Sequence, residues 1–210
     1  MLALAAIVGT VVYQSALSSP PSLGALLNRS EGGPATDIVG YLRRTPPAPP
    51  VSFPDEGEAL LTEADGLLPD GVSIFDERYS GVTSLSSDLL RALRLAAADA
   101  TGEGIDFTVN SGWRSAAYQD ELLQEAVIQY GSESEAARWV ATADTSPHVS
   151  GDAADIGPPE AAAWLSMHGA AYGLCQIYAN EPWHFELRPD AVEYGCPPVY
   201  ADPTEDPRMQ

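Results

Sequence analysis

The chain has 210 residues and 45% hydrophobic content, enough for one globular catalytic domain with its own core plus flanking sequence that need not pack. Thirty acidic residues against ten basic ones leave a formal charge of -20, and every basic residue is arginine. Such a chain is repelled by nucleic-acid phosphates and anionic lipid headgroups, so nucleic acid is excluded as a partner.

In chain order, Leu2 to Val12 is almost unbroken apolar sequence, followed by Tyr13, Gln14 and a Ser/Pro-rich stretch. Residues 1–18 read as a signal-like segment or short anchor. About a dozen apolar residues fall short of the roughly 20 that span a bilayer, and no Lys or Arg precedes them. An extracytoplasmic location is the expectation, with cleavage and N-terminal membrane attachment both open. Residues 19–58 carry Pro20, Pro21, Pro34, Pro46, Pro47, Pro49, Pro50 and Pro54 without apolar periodicity, the composition of an extended linker. The catalytic domain is expected over residues 59–199, followed by an acidic tail, 200–210, that is expected not to pack. No fixed-period repeat occurs.

Within the domain, Leu89, Leu90, Leu93, Ala96 and Ala97 follow a helical stripe from Ser87 to Ala100, with Gly102 just beyond. Ile105, Phe107 and Val109 then alternate with polar residues, which predicts a half-buried strand running into a turn at Ser111 to Ser115. A second helix is predicted over Ala116 to Tyr130, with Leu122, Leu123, Ala126 and Val127 inward, and a third from about Glu133 to Ala143. After a loop at Thr145 to Gly151 come a strand at Ala153 to Ile156 and a helix from Pro159 to His168. Strands at Cys175 to Tyr178 and His184 to Leu187 complete the set. Pro182 disfavours helical backbone at Glu181, which places that residue in a loop or at a strand entry. Mixed elements with short connections give an α+β class, a small and largely antiparallel sheet with helices packed on it.

Cysteine occurs only at Cys175 and Cys196, without a C-x-x-C pair, so any metal must rely on histidine and carboxylate. In an oxidising compartment the two would close a loop of about 20 residues, for which the chain-entropy treatment gives roughly 3 kcal/mol; in a reducing one they would be buried thiols. Of the three histidines, two stand beside carboxylates, in Ser146-Pro147-His148-Val149-Ser150-Gly151-Asp152-Ala153-Ala154-Asp155 and Glu181-Pro182-Trp183-His184. Two histidines and an aspartate are the ligand set of a catalytic zinc that keeps its fourth position open, with a nearby carboxylate as general base. Asp155 is preferred over Asp152 because it shares a strand face with Ala153, which leaves room beside a ligand. Glu181, three residues before His184, is the candidate base. His168 has no carboxylate nearby and reads as a solvated helix-end residue.

These blocks resemble the hallmarks of the VanY-like zinc D-alanyl-D-alanine carboxypeptidases: S-G-[YF]-R-S, then S-x-H-x-x-G-x-A-x-D, then E-x-W-H. All three are present in order, at Ser111 to Ser115, Ser146 to Asp155 and Glu181 to His184, and the resemblance covers about Ser87 to Arg188. It implies a hedgehog/DD-peptidase-like fold with the zinc site at the sheet. One Zn2+ per chain would sit on His148, Asp155 and His184, with Glu181 as base and Arg114 as the residue facing the developing oxyanion. Ser146 and Gln119 match polar positions near the family's substrate pocket and read equally as a cap or a solvated helix residue, while Trp183 reads as a wall of the core or of the substrate pocket. Trp113 departs from the usual tyrosine or phenylalanine, which bears on substrate preference. The implied partner is a peptidoglycan stem peptide cleaved at its D-Ala-D-Ala terminus, by a protein expected to be monomeric. L,D-carboxypeptidase, dipeptidase and endopeptidase activities would use the same metal site, and a non-catalytic zinc-containing cell-wall binding module is the alternative from another class.

Overall fold

A computed structural model describes residues 60–209, so the signal-like segment and nearly all of the Pro-rich linker lie outside the described residues. A one-turn helix, α1 (Ser80–Thr83), leads into α2 (Ser87–Thr101). The apolar stripe of α2 buries Leu89, Ala92, Leu93, Ala96, Ala97 and Ala100. Burying a leucine such as Leu89 or Leu93 contributes roughly 1.5–3 kcal/mol. Strand β1 (Thr108–Ser111) follows, then α3 (Ala116–Tyr130), capped by Ser115, whose Oγ accepts from the Tyr118 amide at 3.1 Å. Two single-turn helices, α4 (Glu133–Ala136) and α5 (Pro147–Ser150), precede β2 (Ala153–Gly157). Helix α6 (Pro159–His168), β3 (Leu174–Gln176), β4 (His184–Leu187) and a short α7 (Ala191–Tyr194) complete the order.

The four strands form one antiparallel sheet in the order β1-β2-β4-β3. Alternation along the strands divides it into two faces. Ala154, Ile156 and Phe185 join the main core with the buried faces of α2 and α6, including Trp164 and Leu165. Ala153, Asp155, His184 and Glu186 therefore share the opposite face, and the register pairs Asp155 with His184 and Ala153 with Glu186. This face is also covered, because Arg114, His148 and Arg208 reach onto it.

Several expectations need correction. The first strand begins at Thr108 rather than Ile105. Thr108 pairs with Gly157, so earlier residues would face Pro158 and Pro159; Pro158 and Pro159 have no N–H for a ladder. The helix expected to reach Ala143 ends at Ala136. Its continuation has other partners: the Arg138 carbonyl accepts from Asn180 and the Ala141 carbonyl from Gln119, each at 2.8 Å. Conversely, the expected loop at Thr145 to Gly151 contains α5, which starts on Pro147 and closes on Gly151 in the left-handed conformation. The β3 ladder stops at Gln176, before the expected Tyr178. In α3 the buried residues are Gln119 and Ala126, while Leu122, Leu123 and Val127 are only partly covered. Leu123, Val127 and the exposed Ile128 border an open groove of about 690 Å³ instead of core.

The largest correction concerns the acidic tail, which packs. Tyr200 pairs with Tyr178, and the Tyr200 amide donates to the Ile177 carbonyl at 2.9 Å. Asp202 and Asp206 are buried, and Tyr200 and Met209 pack on a second small cluster of Cys175, Ile177, Tyr178 and Ala191. Acidic composition is a poor guide here because each buried carboxylate has an arginine: Arg138 for Asp202 at 2.8 Å and Arg208 for Asp206. Cys175 and Cys196 are joined by a disulfide, with their Cα atoms 5.6 Å apart. Among the described residues, no helix is long and apolar enough to cross a membrane.

Candidate metal centre and active site

The site begins with the β2–β4 pair, which sets Asp155 directly across from His184. His148 comes from the single turn α5, held by two close approaches that only glycine allows. A Cβ on Gly112 would lie 1.9 Å from the Gly81 carbonyl oxygen, and one on Gly151 would lie 2.6 Å from that of Ser84. With Gly112 in place, its carbonyl accepts from His148 Nδ1 at 2.8 Å. That bond turns His148 Nε2 inward. On the other side, His184 Nε2 donates to Glu186 Oε1 at 3.3 Å, which leaves Nδ1 of His184 facing Asp155.

Three lone pairs therefore converge. His148 Nε2 lies 3.3 Å from His184 Nδ1, which is 3.2 Å from Asp155 Oδ1; His148 Nε2 and Asp155 Oδ1 are 3.5 Å apart. All three residues are buried, and together they form a group that could hold a metal ion. Bonds of about 2.0–2.1 Å in a tetrahedron put ligand atoms roughly 3.3–3.4 Å apart, so the donor set fits zinc in spacing as well as type.

The electrostatics set the three groups apart. Burial opposes charge on His184, yet its bonds to Asp155 and Glu186 raise its pKa to about 9. Burial, then the Arg114 charge, lower that of His148. Burial pushes the Asp155 carboxyl up, but the two histidines hold it well below the usual carboxylate range. Asp155 and Glu186 together thus favour positive charge at the His184 imidazole.

Glu181 is buried at the edge of the triad, with Oε2 3.8 Å from His184 Nδ1. Burial drives its pKa up to about 7, with the His184 charge opposing. Arg114 follows the Ser111 end of β1 and is fixed on three sides: Nε donates to Ser111 Oγ at 2.7 Å, Nη1 to Gln119 Oε1 at 3.0 Å and Nη2 to Asp155 Oδ2 at 3.1 Å. Two guanidinium N–H groups remain for another partner. Gln119 is itself locked by its bond to the Ala141 carbonyl.

Arg114, Gln119, Ser146, His148, Glu181 and Trp183 line one cleft of about 200 Å³ together with Asp155, Tyr178 and His184. These residues singled out from sequence thus come together, whereas Cys175, on β3, and Cys196 do not line the cleft. Ser146 forms part of the buried wall, and Trp183, 39% exposed, stands at the mouth. Trp113 turns away to the core, where its Nε1 donates to the Val149 carbonyl at 3.1 Å, so the departure from tyrosine or phenylalanine falls behind the cleft. His168 is exposed against Trp164. Sequence reasoning missed Glu186, Ser111 and Tyr178. Glu186 was readable as the next residue on the His184 face of a strand, whereas Tyr178 joins the site only through tertiary packing.

Comparison with known proteins gives a consistent family. The VanY family model, described as D-alanyl-D-alanine carboxypeptidase, matches residues 82–190, just over half of the chain. A D-alanyl-D-alanine carboxypeptidase of Enterococcus faecalis (strain ATCC 700802 / V583) is 30% identical over 41% of this chain. The chain spans only 41% of that relative's length. Among solved structures, VanYB in complex with D-alanine-D-alanine aligns at 24% identity with a TM-score of 0.51, over 61% of this chain and 83% of that one, a likeness of fold. A mutant of the vancomycin-resistance D,D-pentapeptidase VanY in complex with Zn(II) aligns at 26% identity and a TM-score of 0.46, over 49% of this chain and 72% of that one.

Proposed function

The chain belongs to the VanY family of D-alanyl-D-alanine carboxypeptidases, and from that premise we propose that it hydrolyses the terminal D-Ala-D-Ala bond of peptidoglycan stem peptides, outside the cytoplasm, with one zinc ion. The observation that carries this reading is the convergence of His148, Asp155 and His184 on one point, with Glu181 and Arg114 flanking it in the same cleft. The disulfide supports an oxidising compartment.

His148 Nε2, His184 Nδ1 and an Asp155 oxygen would hold the metal. Zinc held by three protein ligands supplies Lewis-acid polarisation of a carbonyl and brings the pKa of water down to about 7. The remaining work falls to the chain. Glu181, with a carboxyl whose pKa of about 7 lets it exchange a proton near neutrality, takes the proton of the attacking water and returns it to the leaving amine nitrogen. Arg114, held by Ser111, Gln119 and Asp155, directs its remaining N–H groups at the scissile carbonyl oxygen as negative charge develops. Ser146, Gln119 and Trp183 bound the space in which the terminal residue is received.

The test pairs metal analysis with mass spectrometry of synthetic stem peptides. One zinc per chain and loss of a single terminal D-alanine from a D-Ala-D-Ala peptide are expected. Release of a residue from a tetrapeptide, of a free dipeptide, or of an internal fragment would redirect the assignment to L,D-carboxypeptidase, dipeptidase or endopeptidase action. A zinc-loaded protein that cleaves none of them would be a binding module.

A further inference from the structure

Behind His184 lies a chain of contacts that the proposed reaction does not use. Glu186 is 1% exposed and accepts from His184 Nε2 through Oε1. A buried carboxylate needs counter-charge, and here it has two guanidinium groups. Arg188 reaches Oε2 at 2.6 Å, whereas Arg208 touches both oxygens, Oε2 at 2.7 Å and Oε1 at 3.2 Å. Contact with both oxygens fixes the plane of the carboxylate as well as its position. Arg208 is in turn held by Asp206, which is fully buried and also accepts from the Tyr178 hydroxyl at 3.0 Å. The Tyr178 ring packs on the His184 imidazole with centroids 5.1 Å apart. The tail thus meets His184 twice, through Glu186 at Nε2 and through Tyr178 on the ring face. Both Asp206 and Arg208 lie beyond residue 190, where the family match ends.

We infer that residues 200–209 complete the metal centre, with Asp206 and Arg208 as positioning residues that hold Glu186 and Tyr178 against His184 so that its Nδ1 stays aimed at Asp155 and His148. The inference rests on the zinc reading of that triad. A carboxylate on the outer nitrogen of a ligand histidine fixes the tautomer and raises ligand basicity, and loss of such a partner typically costs 10–100-fold in metal affinity. The consequence is that a tail of acidic composition, outside the matched region, tunes how tightly the site holds its metal.

Zinc affinity of the full chain, measured by competition with a chromophoric chelator, tests this without recourse to activity. Glu186→Gln is expected to weaken zinc by about 10- to 100-fold and Arg208→Met by about 3- to 10-fold. Because Arg208 holds Glu186 directly, the double variant should lose less than the product of the two single losses, a non-additivity that a merely structural role does not give. Melting of the metal-free variants checks folding, and Arg208→Met, altered at a partly exposed side chain, carries the test if Glu186→Gln does not fold. Wild type that binds no zinc would overturn the zinc reading itself. Wild type that binds zinc, with both variants within twofold of it or with fully additive losses, would overturn this inference and leave the zinc reading standing.

Discussion

Replacing Glu181 by glutamine should move activity and stability in opposite directions. Glu181 is 7% exposed, and burial moves its pKa from 4.5 to about 7 in the metal-free protein. That difference corresponds to about 3 kcal/mol. The folded state holds the proton more tightly than the unfolded one, so the contribution is fully present below pH 4.5 and is lost as pH rises through about 7. At pH 8 the wild-type chain therefore carries an ionised buried carboxylate, a burden that Glu181→Gln lacks. Metal-free Glu181→Gln should melt higher than wild type at pH 8, by roughly 6–12 °C for a domain of this size, and the gap should close towards pH 4.5. The same variant removes the proton carrier and should lower kcat/KM on a D-Ala-D-Ala peptide by about 10²–10⁴ while still binding zinc. Scanning calorimetry at the two pH values and peptide cleavage of the zinc-loaded protein read the two halves. Equal melting at pH 8 combined with kcat/KM within tenfold of wild type would refute both the burial argument and the role assigned to Glu181.

Arg114→Lys keeps a charge but loses the fork that Ser111, Gln119 and Asp155 orient, and kcat should fall by about 10²–10³ with zinc content unchanged. Chelation should abolish cleavage, and readdition of zinc at a thousandfold its Kd should stabilise the fold by about 4 kcal/mol, visible as a rise in Tm. In acid, Glu186 governs a separate loss. Burial pushes its pKa up, but the bonds from His184 and Arg208 outweigh that and hold it at about 2. Its contribution is present above pH 4.5 and disappears as pH falls towards 2, so acid unfolding of Glu186→Gln should lack that part of the pH dependence.

What the sequence disclosed was whatever depends on local order. The stripe of Leu89, Leu93, Ala96 and Ala97 marks α2, and strand alternation alone separates Asp155 from Asp152. Glu181 beside Pro182 likewise lies in irregular backbone at the entry to β4. Features set by non-local partners were hidden. Ile105 and Phe107 alternate as a strand should, but only the position of Pro158 opposite them ends the ladder. Leu123 and Val127 repeat as core residues should, but among the described residues they border an open groove. The tail reads as solvated because its charges are counted along the chain, while the arginine that pairs with Asp202 lies 64 residues before it and Glu186, which Arg208 of the tail holds, lies 22 residues before Arg208.

The two faces of the sheet explain how the candidate donors Asp155 and His184 are brought together. Strand β2 gives Ala154 and Ile156 to the core and Asp155 to the site, and β4 gives Phe185 to the core and His184 and Glu186 to the site. Moving Asp155 relative to His184 would require a slip of the β2–β4 register, and a slip of one residue would turn Ala154 and Ile156 out of the core. Hydrophobic packing on one face therefore enforces the carboxylate–imidazole pairing on the other. His148 lacks this protection, since it rides on a single helical turn secured by the Gly112 carbonyl and the left-handed Gly151. The site thus consists of a strand-borne pair fixed by the core and a third donor fixed by loop packing. It follows that substitutions at Gly112 or Gly151 should loosen the metal while leaving Asp155 and His184 paired, whereas damage to Ile156 or Phe185 should cost the fold first.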